Sequence, residues 1–186
     1  MKKFKLQLMG KNIRYLPNYS GGLEMIWVCR PGKNACYLQF FLDENKIFIP
    51  WEGYAIDLST YKDRTQFKDL VVRERNPNNS TTIANWGGML YSFCNEMHIG
   101  DYVLIPHKQS KEYTLAEIIG EYQYCSKSKL HHYREIKILE TCIPRDIFPK
   151  DIWYSLGAFR SLFHTKHSKQ IDIIINQWKD EQKLVK

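Results

Sequence analysis

The sequence predicts an α+β domain built around a small β-barrel. Three strand candidates follow one another through the second half of the chain, at residues 103–106, 113–124 and 133–139. Apolar residues recur at helical spacing in three further segments, at residues 58–75, 86–97 and 171–184. Successive strands separated by polar turns form a meander, and a meander flanked by helices is typical of a small barrel with one core.

Size and composition indicate one folded domain with appendages. The chain has 186 residues, and 44% of them are hydrophobic, which is enough for a substantial core. Residues 1–23 combine turn-forming pairs with lysines and predict an N-terminal arm. We therefore place the domain at residues 24–165 and interpret residues 166–186 as a C-terminal helix or a linker to an effector module.

Strand and helix signals alternate along the domain. Before the meander, the predicted elements are a strand at residues 25–30, a short helix or strand at 35–42, a strand at 46–49, an amphipathic helix at 58–75 and a polar loop at 76–82. After it come a short helical step at 144–148, a closing strand or short helix at 156–164 and the terminal helix. Proline, glycine and asparagine turns separate these segments, so we expect them to be distinct elements.

The helix that precedes the meander has an unusual predicted start. Asn85 is placed to cap it by accepting from backbone N–H groups, and Gly100 supplies a left-handed exit. The first turn then contains Trp86, Gly87 and Gly88, and each glycine lowers helix propensity by about 1 kcal/mol. We expect the amides of this turn to be open to a ligand, because helix N-termini present donors with a partial positive charge.

The charge balance favours a polyanionic partner. Lys and Arg number 27 against 20 Asp and Glu, which gives a formal net charge of +7 and a pI near 9.1. The chain also has 12 Tyr, 9 Phe and 5 Trp, and aromatic rings beside basic residues form stacking surfaces for bases. Most rings belong in the core, so the composition predicts nucleic acid as the partner without showing which rings contact it.

Basic residues concentrate where predicted strands meet turns. Those expected to contact the nucleic-acid backbone are Arg30, Lys33, Lys108, Lys127, Lys129, His132 and Arg134, with Lys111 and His131 beside them. An isolated lysine more often serves solubility than binding. The strongest signal is therefore the basic cluster at residues 127–134.

The order of these parts resembles a known family of recognition domains. Its most specific pieces are the N-W-G-G helix start at Asn85, the I-G-D-Y-V-L-I-P strand entry at Ile99 and the S-L-G-A-F segment at Ser155. Together they resemble the N-terminal recognition domain of Mrr-like, modification-dependent restriction endonucleases, within the PUA-like superfamily that contains the EVE and YTH domains. The resemblance covers residues 24–165 and implies a small, partly open β-barrel flanked by helices.

The resemblance also implies a function and a site. Such domains flip a modified base into an aromatic pocket. We therefore expect this chain to recognise a methylated DNA base, as the specificity module of a restriction or anti-phage system with cleavage in a fused or partner nuclease. Carried over by position, the base pocket is Trp27, Trp51, Asn85, Trp86, Gly87 and Tyr133. Asn85 is the expected partner of the base edge, whereas Trp27 is as well suited to the core, because a strand buries alternate side chains.

Two alternative functions stay open at this level. One is a YTH-like reader of modified RNA, which contact with the ribose 2′-OH would distinguish. The other is a protein-interaction scaffold whose C-terminal helix docks a partner through Ile174 and Trp178.

Catalysis, bound metal and bound cofactor are not predicted. The triplet Glu135-Ile136-Lys137 has half of a nuclease metal motif, but such triplets are frequent in exposed strands. His164 and His167 lack a further ligand at a convincing spacing. Five cysteines without a C-x-x-C pair indicate reduced thiols, and no apolar run approaches the roughly 18 residues that span a bilayer, so we expect a cytoplasmic protein without a membrane partner.

Overall fold

The computed structural model describes residues 25–52 and 54–184, and within them seven strands form a curled, open half-barrel flanked by five helices. The strands are β1 (Ile26–Cys29), β2 (Lys46–Phe48), β3 (Tyr102–His107), β4 (Glu112–Ile118), β5 (Gln123–Tyr124), β6 (His132–Pro144) and β7 (Leu162–His164). The helices are α1 (Leu38–Glu44), α2 (Arg64–Arg75), α3 (Ser80–Tyr91), α4 (Lys150–Leu156) and α5 (Ser168–Leu184). The predicted α+β class is therefore confirmed. The strands predicted at residues 103–106 and 133–139 correspond to β3 and β6, whereas the single strand predicted at 113–124 is divided into β4 and the short strand β5.

The sheet combines one parallel contact with antiparallel ones. Its strand order is β2-β6-β4-β3-β1-β7, and β5 pairs with β6 outside this path. β1 and β3 run parallel, while β3, β4 and β6 form the antiparallel meander. The register between β4 and β6 shifts twice. Tyr113 lies opposite Ile143, Leu115 opposite Glu140 and Ala116 opposite Ile138. Each shift adds a residue to β6, and such bulges bend a strand, so they account for the curl of the sheet.

Helices cover both faces of the sheet. From β1, Trp27 and Cys29 pack into one core with α1, α2 and α3, whereas Ile26 and Val28 pack into a second core with α4 and α5. All four residues of β1 are buried, which explains why its sequence is an unbroken apolar run rather than an alternating one.

The start of α3 differs from its prediction. Asn79 is the N-cap, and its side-chain oxygen accepts from the backbone N–H groups of Thr81 at 2.8 Å and Thr82 at 3.3 Å. Asn85 lies inside the helix and is exposed. The predicted helix mouth at Trp86 is therefore wrong, since the first four amides of a helix are the unpaired ones and here they belong to an earlier turn.

The α2 helix also begins later than its pattern indicates. Asp63 caps it by accepting from the backbone N–H groups of Thr65 and Gln66, and Oε1 of Gln66 accepts in turn from the backbone N–H of Asp63. This capping box at residue 63 stops the helix from extending back to residue 58.

The terminal helix, predicted at residues 171–184, packs on the domain itself. Ile171 and Ile175 of α5 are buried in the second core, and Ile174 and Trp178 are half-buried against it. The two residues that the scaffold hypothesis assigns to a partner thus contact their own sheet. The segment at residues 156–164 contains the end of α4 and the short strand β7. The predicted N-terminal arm at residues 1–23 lies outside the described residues.

Candidate functional site

An open cleft of about 680 Å³ lies at one end of the sheet. Parallel pairing of β1 with β3 brings the ends of both strands to this edge, so that Arg30 and His107 lie there together. Antiparallel pairing adds the start of β4 at Glu112 and the residue after β6, Arg145. The ends of four strands thus place their side chains in one concavity, a place where ligands commonly bind.

The cleft brings together part of the predicted site. The predicted residues that line it are Arg30, Lys33, Trp51 and Lys108, with Lys111 beside them. Lys33 follows a turn at Gly32, which has a φ of 78°, and a Cβ there would lie 2.7 Å from the Tyr37 ring. Only glycine fits at this position, and the turn carries Lys33 and Asn34 into the cleft. The side chain of Lys108 donates to Asn34, which ties the turn to the end of β3.

The cleft lining also contains residues that were not predicted as site residues, among them Arg145, Phe159 and Arg160. Arg145 directly follows β6, and basic residues at strand ends were the signal used for Arg30 and Lys108. Phe159 is fully exposed, although an aromatic ring usually packs in the core. It ends the S-L-G-A-F segment noted in the sequence, so a usable signal for it was present.

Two of the arginines that line the cleft, Arg30 and Arg145, have incomplete hydrogen bonding. Arg30 donates through Nη2 to the carbonyl oxygens of Leu156 at 3.2 Å and Ala158 at 2.9 Å. The Arg145 guanidinium lies over the Trp153 ring, 4.4 Å from its centroid. The Nε atoms of both arginines are buried, and neither has a hydrogen-bond partner among the described residues. Burial, and then the neighbouring charge of Arg145, lower the pKa of Arg30 from its usual value, while Tyr113 opposes this shift.

Acidic compensation in the cleft is slight. Glu112 is the one carboxylate among the described lining residues, and its Oε2 lies 4.0 Å from Nδ1 of His107. The Nε2 atom of His107 is hydrogen-bonded to the Thr114 hydroxyl at 2.9 Å. Burial lowers the pKa of His107, which favours its neutral form and leaves the arginines and lysines as the charged groups.

Trp27 and Gly87 do not belong to a ligand pocket. Trp27 is buried, and its indole N–H donates to Oδ2 of Asp101 at 2.9 Å, so the core alternative for this residue is correct. Gly87 is buried against α2, where an added Cβ would lie 3.0 Å from the backbone nitrogen of Lys68. Its role is the close approach of two helices rather than an open amide.

The predicted backbone contacts His132 and Arg134 are also corrected. His132 is fully buried, with Nε2 at 2.6 Å from the Tyr54 carbonyl oxygen and Nδ1 at 2.9 Å from the Tyr122 hydroxyl. Arg134 is 1% exposed and donates to the carbonyl oxygens of Phe93 at 2.8 Å, Cys94 at 3.1 Å and Gly120 at 3.2 Å. Neither side chain is free to meet a phosphate.

Phe93 and Cys94 explain why a buried arginine is stable there. They lie in a π-helical turn, Ser92–Glu96, that continues α3. Carbonyl groups at the end of a helix lack hydrogen-bond donors within the helix and carry partial negative charge. The Arg134 guanidinium supplies both the donors and a positive charge.

Trp86 and Tyr133 form aromatic contacts outside the described cleft lining. The ring centroids of Trp86 and Trp51 lie 5.4 Å apart, so Trp86 packs against a residue that lines the cleft. Tyr133 lies 5.9 Å from Phe48, and its hydroxyl donates to Gln123 at 2.7 Å.

The remaining predicted residues lie on the surface. Lys127 is exposed in the β5–β6 loop, and Lys129 forms a 3.2 Å ion pair with Glu52. Asn85 faces a shallow groove on α3 that it shares with Lys68 of α2. The predicted base pocket is therefore dispersed, and Trp51 is the member that reaches the cleft.

Among residues 25–52 and 54–184, no group of three or more His, Cys, Asp or Glu side chains has an arrangement suited to a metal ion. None of the helices in this part of the chain is long and apolar enough to cross a membrane.

The fold and the cleft define a small α+β domain with a basic, aromatic-containing concavity at one end of its sheet. The chain belongs to the family described as Domain of unknown function (DUF8426), whose model matches residues 27–151. The match runs from β1 into the start of α4 and so includes Arg30, Trp51 and Arg145, while Phe159 and Arg160 follow it. No curated protein matches the chain.

Proposed function

We propose that this chain is a nucleic-acid reader module that takes a methylated DNA base into the cleft at the end of its sheet. The observation that carries the proposal is that Trp51 and Phe159 lie among six basic side chains of the described residues in one concave site. An aromatic platform and a basic surround are what a flipped or single-stranded nucleotide requires. In this proposal the cleft takes the place of the pocket expected around Trp86.

The exposed basic residues suit phosphate contacts. They are Lys33, Lys108, Lys111 and Arg160. Each phosphate that such a side chain neutralises releases condensed counterions, and this release drives binding. The backbone of the nucleic acid then follows the turn at residues 31–35 and the β3–β4 turn, rather than the β5–β6 loop favoured by the sequence.

Stacking supplies the energy for taking the base out of its helix. Extrusion of a base costs a few kcal/mol, and stacking on an aromatic ring contributes about 1–3 kcal/mol per base. Two rings, Trp51 and Phe159, therefore offset the extrusion. A buried methyl group adds only about 0.8 kcal/mol, so selection of the modified base needs a polar contact as well. Asn34 and Ser161 line the cleft and carry suitable groups.

The wider biological role follows the resemblance to restriction-endonuclease recognition domains. We place cleavage in a fused or partner nuclease and assign to this chain the selection of the modified base. The preference for DNA over RNA belongs to the same proposal, and matched RNA strands test it.

The experiment is a fluorescence anisotropy titration of the purified chain with matched oligonucleotides. The strands are unmodified or carry N6-methyladenine, 5-methylcytosine or 5-hydroxymethylcytosine, each at two salt concentrations. We expect one modification to bind tightest, and we expect Phe159→Ala to weaken that binding by about ten- to hundredfold, the loss of one stacked ring. Phe159 is fully exposed, so this change leaves the core intact.

Tyr154→Ala is the matched control, because Tyr154 is 69% exposed on α4 and does not line the cleft. The Tyr154→Ala variant should bind the modified oligonucleotide with the same affinity as the unaltered chain. Equal, strongly salt-dependent binding of all strands would show that the cleft contacts phosphates but does not recognise the modified base. Absence of binding to every strand would reject the proposed function.

A further inference from the structure

The cleft contains an arginine pair whose donors are not all used. Arg30 makes its side-chain hydrogen bonds to described residues through Nη2 alone. The buried Nε atoms of Arg30 and Arg145 have no partner among residues 25–52 and 54–184. Buried donors in folded proteins are almost always paired with protein, water or ligand. Nη1 of Arg30 and both Nη atoms of Arg145 likewise make no hydrogen bond to described residues, and unlike the Nε atoms they are not buried. These Nη donors can therefore bind an acceptor in the cleft.

The pair also lacks a counter-ion. Within the described residues, neither Arg30 nor Arg145 forms an ion pair. The one described carboxylate of the lining, Glu112, faces His107. Arg30 and Arg145 line the same cleft, and after burial the positive charge of Arg145 contributes to lowering the pKa of Arg30. Two like charges held together at one site are relieved by an anion, and most effectively by one that carries two charges.

We propose that Arg30 and Arg145 hold a phosphate monoester, the terminal phosphate of a nucleic-acid strand or of a free nucleotide. A guanidinium presents its donors in a planar fork that matches phosphate oxygens. A monoester carries close to two negative charges at neutral pH and has three free oxygens, enough for a fork on each side. The nucleoside attached to it then extends past Trp51 and Phe159.

A phosphodiester within a strand fits the site less well. It carries one negative charge and two free oxygens, and the strand has to leave the site in two directions. The cleft is bounded by the turn at residues 31–35 and by the segment at residues 156–161. Its volume of about 680 Å³ is within the range of pockets that hold one small molecule. A strand end leaves the arginine pair in one direction only, so it places fewer demands on the cleft than an internal phosphodiester.

This inference rests on the proposed function and deepens it, because it makes the base that is read the one at a strand terminus. The same anisotropy titration tests it when the oligonucleotide carries a 5′-phosphate, a 3′-phosphate or hydroxyls at both ends. We expect one phosphorylated end to bind about ten- to hundredfold tighter than the hydroxyl strand, the effect of charge-assisted hydrogen bonds. Competition by a nucleoside monophosphate and by inorganic phosphate then separates a free nucleotide from a strand end.

Two variants assign the effect to the arginine pair. Arg30→Lys and Arg145→Lys keep the charge but remove the fork, so each should abolish most of the preference for the phosphorylated end. Arg73→Lys is the matched control, since Arg73 is exposed on α2 and pairs with Glu74 away from the cleft. The Arg73→Lys variant should retain the full preference for the phosphorylated end. The comparison of strand ends is made on the unaltered chain, so it remains decisive even if a variant folds poorly.

The outcomes separate this inference from the proposed function. Equal affinity for phosphorylated and hydroxyl strands would overturn the monoester site and leave the reader function standing. If no strand binds but a nucleoside monophosphate raises the melting temperature of the chain, the site holds a free nucleotide and the reader function fails. If no strand binds and neither phosphate nor nucleotide stabilises the chain, both are overturned.

Discussion

A neutral histidine joins the start of β6 to the segment after β2. The Tyr54 carbonyl oxygen can only accept, so Nε2 of His132 carries the proton and donates to it at 2.6 Å. The other nitrogen, Nδ1, then accepts from the Tyr122 hydroxyl at 2.9 Å, and that hydroxyl accepts from the backbone N–H of Leu58 at 3.0 Å. Burial lowers the pKa of His132 to about 4, so the side chain is neutral at pH 7.

The buried histidine predicts a pH-dependent stability. An unfolded histidine has a pKa of about 6.5, which is above the folded value of about 4. The stabilisation is therefore complete above pH 6.5, and it is lost as the pH falls toward 4 because only the unfolded chain takes up the proton. The free energy of unfolding should fall by about 3 kcal/mol over this pH range. Urea unfolding at pH 7.5 and pH 4.5 measures it.

In His132→Gln this contribution is absent, so the variant should be less stable than the unaltered chain at pH 7.5 and closer to it at pH 4.5. His98→Gln changes an exposed histidine and should preserve the pH dependence. A stability difference between His132→Gln and the unaltered chain that stays constant with pH would show that His132 is not held neutral.

Two neighbouring glycines of α3 have different surroundings. A Cβ on Gly87 would lie 3.0 Å from both the backbone nitrogen and Cγ of Lys68 on α2. A Cβ on Gly88 would lie 3.5 Å from Nη1 of Arg64, which is an ordinary van der Waals contact. Packing against α2 thus requires glycine at residue 87 and not at residue 88.

Alanine substitution should therefore have opposite effects at the two positions. We expect Gly87→Ala to lower the free energy of unfolding by about 1–3 kcal/mol, because α2 and α3 must move apart. We expect Gly88→Ala to raise it by about 0.5–1 kcal/mol, the difference in helix propensity. Chemical denaturation midpoints compare the two. Stabilisation by Gly87→Ala would mean that the helices do not approach as closely as described.

The boundary of α3 shows where sequence patterns are ambiguous. Asn79 precedes the polar residues 80–82 and Asn85 precedes the apolar pattern itself, but both are good caps by residue type. The pattern of Met89, Leu90 and Phe93 correctly predicts the buried side of the helix, but it continues through either start. The earlier asparagine caps the helix because residues 80–85 extend α3 alongside α2, a tertiary contact that periodicity does not report.

At the scale of the whole molecule, the sheet lies between two cores and α5 closes the second one. Ile175 is 2% exposed and packs with Ile26, Val28 and Leu104 from the centre of the sheet. The described domain therefore includes the C-terminal helix, and we expect both cores to unfold together.

Two isoleucines on α5 test this arrangement. Ile175→Ala should lower the free energy of unfolding by about 2–5 kcal/mol, the usual loss for a buried large-to-small change. Ile173→Ala alters a side chain that is 37% exposed and should change stability much less. Thermal unfolding followed by circular dichroism and by tryptophan fluorescence should show one shared transition in each variant. Separate transitions for the two probes would indicate that α5 and the second core form an independent unit.

The amino-acid sequence by itself determined the α+β class, most of the meander, the terminal helix and a formal net charge of +7. These properties follow from local periodicity and composition, which are present in the chain before it folds. Tertiary structure alone decided which charged and aromatic groups line the cleft. Arg134 lies in β6 and Arg30 directly follows β1. Carbonyl oxygens of Phe93, Cys94 and Gly120 accept from Arg134, whereas Arg30 lines the cleft at the ends of β1, β3 and β6. Burial of a side chain depends on partners distant in the sequence, and strand register, rather than residue type, brings those partners together.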